Sequence, residues 1–285
     1  MKLDGRREST NVQDRRSSGG RMMAGGSIGV ALIGALIYLL SGGRIDPSAI
    51  EGLTELVPAQ QVEFTAEEQE LASFSKKILA GTEDVWSAYF EQNGLGTYEA
   101  PSMVLYTGAT SSGCGTGRSS MGPFYCSADR TVYIDLSFFT QMKANLGADG
   151  DFAYAYVIAH EVGHHVQNLL GVLSQVHSQM SASDKVAANQ LSVRLELFAD
   201  FLAGMWAYHD NRMFGSLEEG DIEEALRCAE VIGDNYLQQK ANGYVVEDSF
   251  THGTSQQRMK WLKKGLSTGD LSKAEDIFSL NYRRL

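Results

Sequence analysis

The feature that most narrows the folds open to this chain is His160-Glu161-Val162-Gly163-His164, which closes the apolar run Phe152-Ala-Tyr-Ala-Tyr-Val-Ile-Ala159. A helix turns about 100° per residue, so positions 160 and 164 lie roughly 40° apart on one face. Two imidazoles so placed reach a single ion, and Glu161 projects beside them, within reach of a water at that ion. The apolar lead-in buries these groups, and a buried polar group without a partner is costly. A bound metal answers that cost; the competing reading is a core helix whose histidines bond to neighbouring carbonyls.

Catalytic zinc takes three protein ligands and leaves a position for water, so a third ligand is needed. A metzincin carries Gly and His three and six residues beyond the second histidine, where this chain has Gln167 and Leu170. The ligand therefore comes from another segment. In Leu195-Glu196-Leu-Phe-Ala-Asp200-Phe-Leu-Ala-Gly-Met-Trp206, Glu196 and Asp200 are the only charges and share a helix face. Glu196 as third ligand, with Asp200 accepting from the far nitrogen of a ligating histidine, satisfies the polar groups of both helices. The alternative is a carboxylate pair engaged with a basic residue such as Arg194. If Glu196 does not ligate, Asp200, His209 and His177 are next in line.

These positions predict zinc-dependent hydrolysis of peptide bonds, with Glu161 taking a proton from the attacking water and passing it to the leaving amine. His252 precedes a helix capped by Thr254 and Gln257 and is the best distal donor to an oxyanion, or else a solvated loop histidine. His165 points off the ligand face, and His177 and His209 read as surface residues.

Residues 1–44 carry seven Lys/Arg against three Asp/Glu, leaving 17 basic against 32 acidic residues, a net −15, for the rest. So acidic a body is a poor candidate for nucleic acid. The basic excess stands directly before Ala24 to Ser41, eighteen residues without a charge and just long enough to cross a bilayer. The positive-inside rule then keeps the N-terminus cytoplasmic and places the main domain outside; a cleaved signal peptide is the competing reading. An oxidising compartment would let Cys114 and Cys126, in a loop rich in Gly and Ser, form a disulfide.

The sequence thus divides into a basic cytoplasmic tail (1–23), a transmembrane helix (24–41), a linker (42–64) and a folded domain (65–285). Thr65-Ala-Glu-Glu68 opens an amphipathic helix, with Gly81-Thr82 separating it from a second one carrying Val85, Trp86, Tyr89 and Phe90. Met103–Tyr106 and Thr131–Leu136 read as strands of a small sheet, the latter the edge offered to an extended peptide. Helices are predicted over 137–146, 151–170, 184–213, 218–241, 255–265 and 271–279. The fold class is α+β and mainly helical.

The chain resembles the neutral zinc metallopeptidases of bacteria, the YpfJ-like group. The likeness is carried by Gly5-Arg-Arg-Glu-Ser9, Asp14-Arg-Arg16, Gly122-Pro-Phe-Tyr-Cys126, Val132-Tyr-Ile-Asp-Leu136, the metal motif through Gln167, Glu196 with Ala199-Asp200, and Asp248-Ser-Phe-Thr-His252 through Arg258. It implies a zincin-like domain on a single-pass protein of the bacterial inner membrane, periplasmic or extracellular, holding Zn2+ and acting on peptide or protein substrates. Phe201 and Ser127 stand where the family often has Cys and Pro, so a second disulfide is not expected. The competing function is a zinc-stabilised, membrane-tethered binding module with little or no turnover; Glu161 argues against it, because a structural metal site has no use for a general base.

Overall fold

The computed structural model describes residues 1–17 and 64–285. The apolar run 24–41 lies outside the described residues, as does all but the last residue of the 42–64 linker. Among the described residues no helix is long and apolar enough to cross a membrane.

A four-stranded sheet takes the order β1-β2-β6-β5, built from β1 (Val12–Asp14), β2 (Ser102–Tyr106), β6 (Thr131–Asp135) and β5 (Phe124–Cys126). The first three run parallel, with Val12 opposite Met103 and Met103 opposite Val132, and β5 pairs antiparallel with β6, Phe124 opposite Tyr133. A separate hairpin joins β3 (Ala109–Ser112) to β4 (Gly115–Arg118), and Cys114 in its turn is disulfide-bonded to Cys126. The strands predicted from alternation are both present. The exposed edge differs from expectation: β6 is flanked on both sides, and β5 is the outer strand.

The N-terminal segment is part of this body. β1 comes from residues read as a tail, so the folded unit reaches well before Thr65. The capping box of Thr65 and Glu68 opens α1 (Ala66–Gln92) as predicted, but the helix runs unbroken through Gly81-Thr82. Glycine weakens a helix without ending it, and here twelve buried residues, Trp86 and Phe90 among them, hold α1 together.

The remainder is helical: α2 (Ser137–Gln141) running into a π-turn, α3 (Asp151–Leu169), α4 (Val172–Ser181), α5 (Lys185–Phe214), α6 (Asp221–Val231), α7 (Asp234–Asn242), α8 (Ser255–Thr268) and α9 (Asp276–Ser279). The sequence analysis did not anticipate α4, which restarts after Gly171 and buries Leu173 and Val176 against Leu195. The single helix expected over 218–241 is broken at Gly233, against which the backbone of Ser255 passes too closely for any side chain.

α5 is the central element and packs on both α3 and α8. Its crossing with α8 is a backbone contact at Gly204 and Gly265, where a β-carbon on either residue would collide with main-chain atoms of the other helix. Around these helices lie the fully buried Trp86, Trp206, Trp261, Phe152 and Phe201. At the α3–α5 crossing a β-carbon on Gly163 would lie 3.0 Å from the Ala199 carbonyl oxygen, so the metal motif sits where two backbones approach closely.

Candidate metal centre and active site

His160 and His164 project from α3 toward Glu196 on α5. His160 Nε2 lies 3.1 Å from Glu196 Oε2, and His164 Nε2 lies 3.5 Å from Glu196 Oε1. Four ligands at about 2.1 Å around a tetrahedral zinc stand roughly 3.4 Å from one another, so these separations fit one ion held by all three residues. The three ligand atoms fall within 4.8 Å of each other.

Each imidazole is turned by its other nitrogen. His160 Nδ1 is 2.8 Å from Asp200 Oδ1, so it donates to the carboxylate and presents Nε2 to the site. His164 Nδ1 pairs with Gln167 Oε1 at 3.2 Å, and Gln167 is itself fixed by donating to the Leu195 carbonyl at 2.7 Å. Asp200 thus pairs with the far nitrogen of His160, and Gln167 does the same for His164, a contact the sequence analysis passed over.

Asp200 is fully buried and anchors a larger polar knot. It accepts from Tyr156 Oη at 2.6 Å and from Arg258 Nε and Nη2, both at 2.9 Å. Arg194, the suspected partner of the carboxylates, instead donates to the Ile277 and Leu280 carbonyls. Arg258 arrives from α8 because the Gly204–Gly265 contact brings that helix against α5. A lone arginine one turn before the apolar pair Trp261-Leu262 was the available signal.

The charges describe a place built for a cation. Burial opposes ionisation of Glu196, yet His164 and His160 outweigh it and hold the carboxyl well below its usual range. Burial likewise opposes a proton on His160, but Asp200 and Glu196 draw one in and raise its pKa to about 10. Asp200 is matched by Arg258, and the buried Glu196 carboxylate between two imidazoles is a setting that suits a divalent ion.

Glu161 lines the same cavity as the three ligands, a cleft of about 670 Å3. His252 lines it too, so the structure brings the distal histidine to the same cleft. Asp234, at the start of α7, accepts the backbone N–H groups of Thr251, His252 and Gly253 at 2.8, 2.7 and 3.0 Å and lies 3.4 Å from His252 Nδ1. The break at Gly233 thus has a purpose: it turns Asp234 onto the histidine loop. The Asp234 carboxylate raises the pKa of His252 against the effect of burial.

His165 lies off the site, as expected, and is fully buried. Its Nε2–H donates to the Glu99 carbonyl at 2.7 Å, which leaves Nδ1 to accept from Tyr125 Oη at 2.9 Å. Asn168 donates to the same hydroxyl at 3.1 Å, so α3 grips β5 through Tyr125. Burial lowers the His165 pKa to about 4, in keeping with a neutral ring. His177, on α4, is exposed at the cavity wall, and His209 donates to the Gly269 carbonyl at the far end of α5.

The profile of the family described as "Putative neutral zinc metallopeptidase" matches residues 1–277. The chain belongs to this family. It is 51% identical to the "Uncharacterized protein YpfJ" of Escherichia coli (strain K12) over 282 residues, covering 95% of this chain and 96% of that protein. It is 41% identical over 183 residues to the "Uncharacterized protein Mb2605" of Mycobacterium bovis, 61% of each chain. No solved structure matches it. The candidate ligands His160, His164 and Glu196, together with Glu161 and His252, all lie inside the matched span.

Proposed function

We propose that the protein is a membrane-attached zinc peptidase of zincin type that hydrolyses peptide bonds in the cleft above α3. The observation that carries this reading is the convergence of His160 Nε2, His164 Nε2 and Glu196 at separations suited to one zinc ion, with Glu161 in the same cleft. Zinc held there supplies a Lewis acid that polarises a carbonyl and makes water more acidic. Glu161 takes the proton of the attacking water and delivers it to the leaving nitrogen. His252, whose pKa the Asp234 carboxylate raises, donates to the oxygen on which charge develops. Asp200, Arg258 and Gln167 keep both imidazoles turned so that no reorientation accompanies the reaction.

An extended peptide adds to the free edge of β5, whose Phe124 and Tyr125 line the cleft. Phe138, Val157, Leu173 and Met180 form apolar walls there, so a substrate with a large apolar side chain beside the scissile bond is favoured. The run 24–41 attaches the protein to the bacterial cell membrane.

Glu161→Gln decides between peptidase and zinc-stabilised binding module. The variant should retain about one zinc per chain by elemental mass spectrometry while cleavage of an unfolded, dye-labelled protein falls by roughly 10²–10⁴-fold. Unchanged cleavage, or a folded wild type that takes up no zinc, would refute the proposal.

A further inference from the structure

The outer strand β5 is three residues long and pairs on one side, with β6. Its Phe124 and Tyr125 line the cleft, and so does Cys114 in the turn of the β3–β4 hairpin. Cys126 ends β5 and carries the disulfide to Cys114. The hairpin also covers the strand: a β-carbon on Gly117 would lie 2.5 Å from Phe124 Cε1, and the Phe124 ring stacks on Tyr133 at 4.8 Å between centroids.

This corner is packed apart from the metal ligands. Cys126 groups with Val104, Tyr106, Tyr133 and Phe124 in an apolar cluster of its own, whereas Val157, Val162, Leu197 and Phe201 on α3 and α5 belong to the main core. The base of the hairpin is fixed without the disulfide, because Asp135 at the end of β6 accepts from the Gly108 N–H at 2.7 Å and from Ser119 Oγ. Its tip is fastened by the disulfide and by a hydrogen bond from the Gly113 N–H to the exposed Asp129 at 2.6 Å. Opening the disulfide leaves β5 held by its pairing with β6, the packing of Phe124 and the hydroxyl of Tyr125.

We propose that the Cys114–Cys126 bond is a redox switch on the substrate edge: closed, it holds β5 for pairing with an extended peptide, and opened by a dithiol, it frees the hairpin tip and loosens β5 without disturbing His160, His164 or Glu196. The switch rests on the reading of the cleft as a peptidase site. Cys114 is exposed and Cys126 fully buried, so an attacking thiolate meets the sulfur of Cys114. A mixed disulfide forms there while Cys126 leaves as a thiolate and takes up a proton. The second sulfur of the dithiol then attacks the first, closes its own disulfide and releases Cys114 as a thiol. Two electrons and two protons pass to the protein, and the dithiol is oxidised. Separate units of a fold open independently, and losing the cross-link of a short loop shifts the opening of this one by roughly 100-fold.

The test uses the purified, zinc-loaded full chain, oxidised or reduced by a water-soluble phosphine, which takes its oxygen from water and spares the zinc that a dithiol would compete for. Titration of the two new thiols shows that reduction is complete. In the first minutes of hydrogen exchange, too early for global unfolding to contribute, the peptide spanning Phe124–Cys126 should exchange about 100-fold faster when reduced, with α3 unchanged. KM for a long peptide should rise roughly tenfold, as for an edge formed about a tenth of the time, while kcat and zinc content stay at the oxidised values. Cys114→Ser with Cys126→Ser should behave as the reduced chain with no reductant present, and reduction of the wild type serves alone if that variant does not fold. Unchanged exchange at β5 or an unchanged KM after complete reduction would overturn the switch, as would zinc loss or equal loosening of α3. No cleavage by the oxidised chain would instead refute the peptidase reading, while the exchange comparison still decides whether the bond controls β5.

Discussion

Replacing Arg258 with methionine keeps an aliphatic stem of similar volume and removes the guanidinium from Asp200. That carboxylate has no solvent access and accepts four hydrogen bonds at 2.6–2.9 Å, two of them from Arg258. Breaking a buried pair on one side costs about 3–5 kcal/mol, since the remaining charge is left without compensation. The pKa gives a similar scale: burial pushes Asp200 up, but Arg258 and His160 outweigh it and hold it at about 2 rather than 3.8, a linkage of about 2 kcal/mol. At roughly 2–4 °C per kcal/mol, Arg258→Met should melt about 10 °C below wild type at pH 7. Because the folded pKa is depressed, this contribution is present above about pH 4 and fades as the pH falls toward 2, so the deficit should narrow in acid. Zinc affinity should drop about 10–100-fold as His160 loses its fixed orientation. Calorimetric melts from pH 7 to 3 with a zinc titration make the assay. Wild-type melting at pH 7, or a deficit that does not shrink in acid, would refute the argument.

Glu196→Ala and His160→Ala should each lose zinc at micromolar free metal, measured by elemental analysis after dialysis; full occupancy in Glu196→Ala would remove it from the ligand set. Asp234→Asn should lower kcat while KM stays near wild type, and the descending alkaline limb of kcat should move to lower pH as His252 loses the partner that raises its pKa. Gly163→Ala presses a methyl group onto the Ala199 carbonyl and should cost about 1–3 kcal/mol in denaturant unfolding; a neutral result would mean that the α3–α5 approach is looser than described. Cys114→Ser with Cys126→Ser should cost about 3 kcal/mol under oxidising conditions and leave unfolding insensitive to reductant.

The sequence displayed the site wherever chemistry and spacing coincided on one helix. His160, His164, Glu196 and Asp200 are conspicuous because each is a polar residue in an apolar run, and the two cysteines flank a loop with little else to hold it. Arg258 and Asp234 were not legible, because their roles depend on where backbones meet. Only the Gly204–Gly265 contact brings Arg258 to Asp200, and only the break at Gly233 turns Asp234 onto His252. Gly81 was misread for a related reason: a glycine that makes room for a side chain far away in sequence looks, locally, like one that ends a helix. The N-terminal segment was the largest omission. Its arginines carry the composition of a free basic tail, and the carboxylate partners of Arg6 and Arg7 lie 70 or more residues away.

The grip of His165 and Asn168 on Tyr125 ties the outermost strand to the helix that bears both imidazoles. Under the proposed function, a substrate laid along β5 would be indexed against the metal by main-chain pairing. Successive residues of a strand face opposite ways and advance about 3.4 Å each, and a slip of one residue reverses every side chain. An unfolded polypeptide threading this cleft would re-engage in two-residue steps of roughly 7 Å, with its cut sites phased by the alternation of its own side chains rather than selected at a single motif.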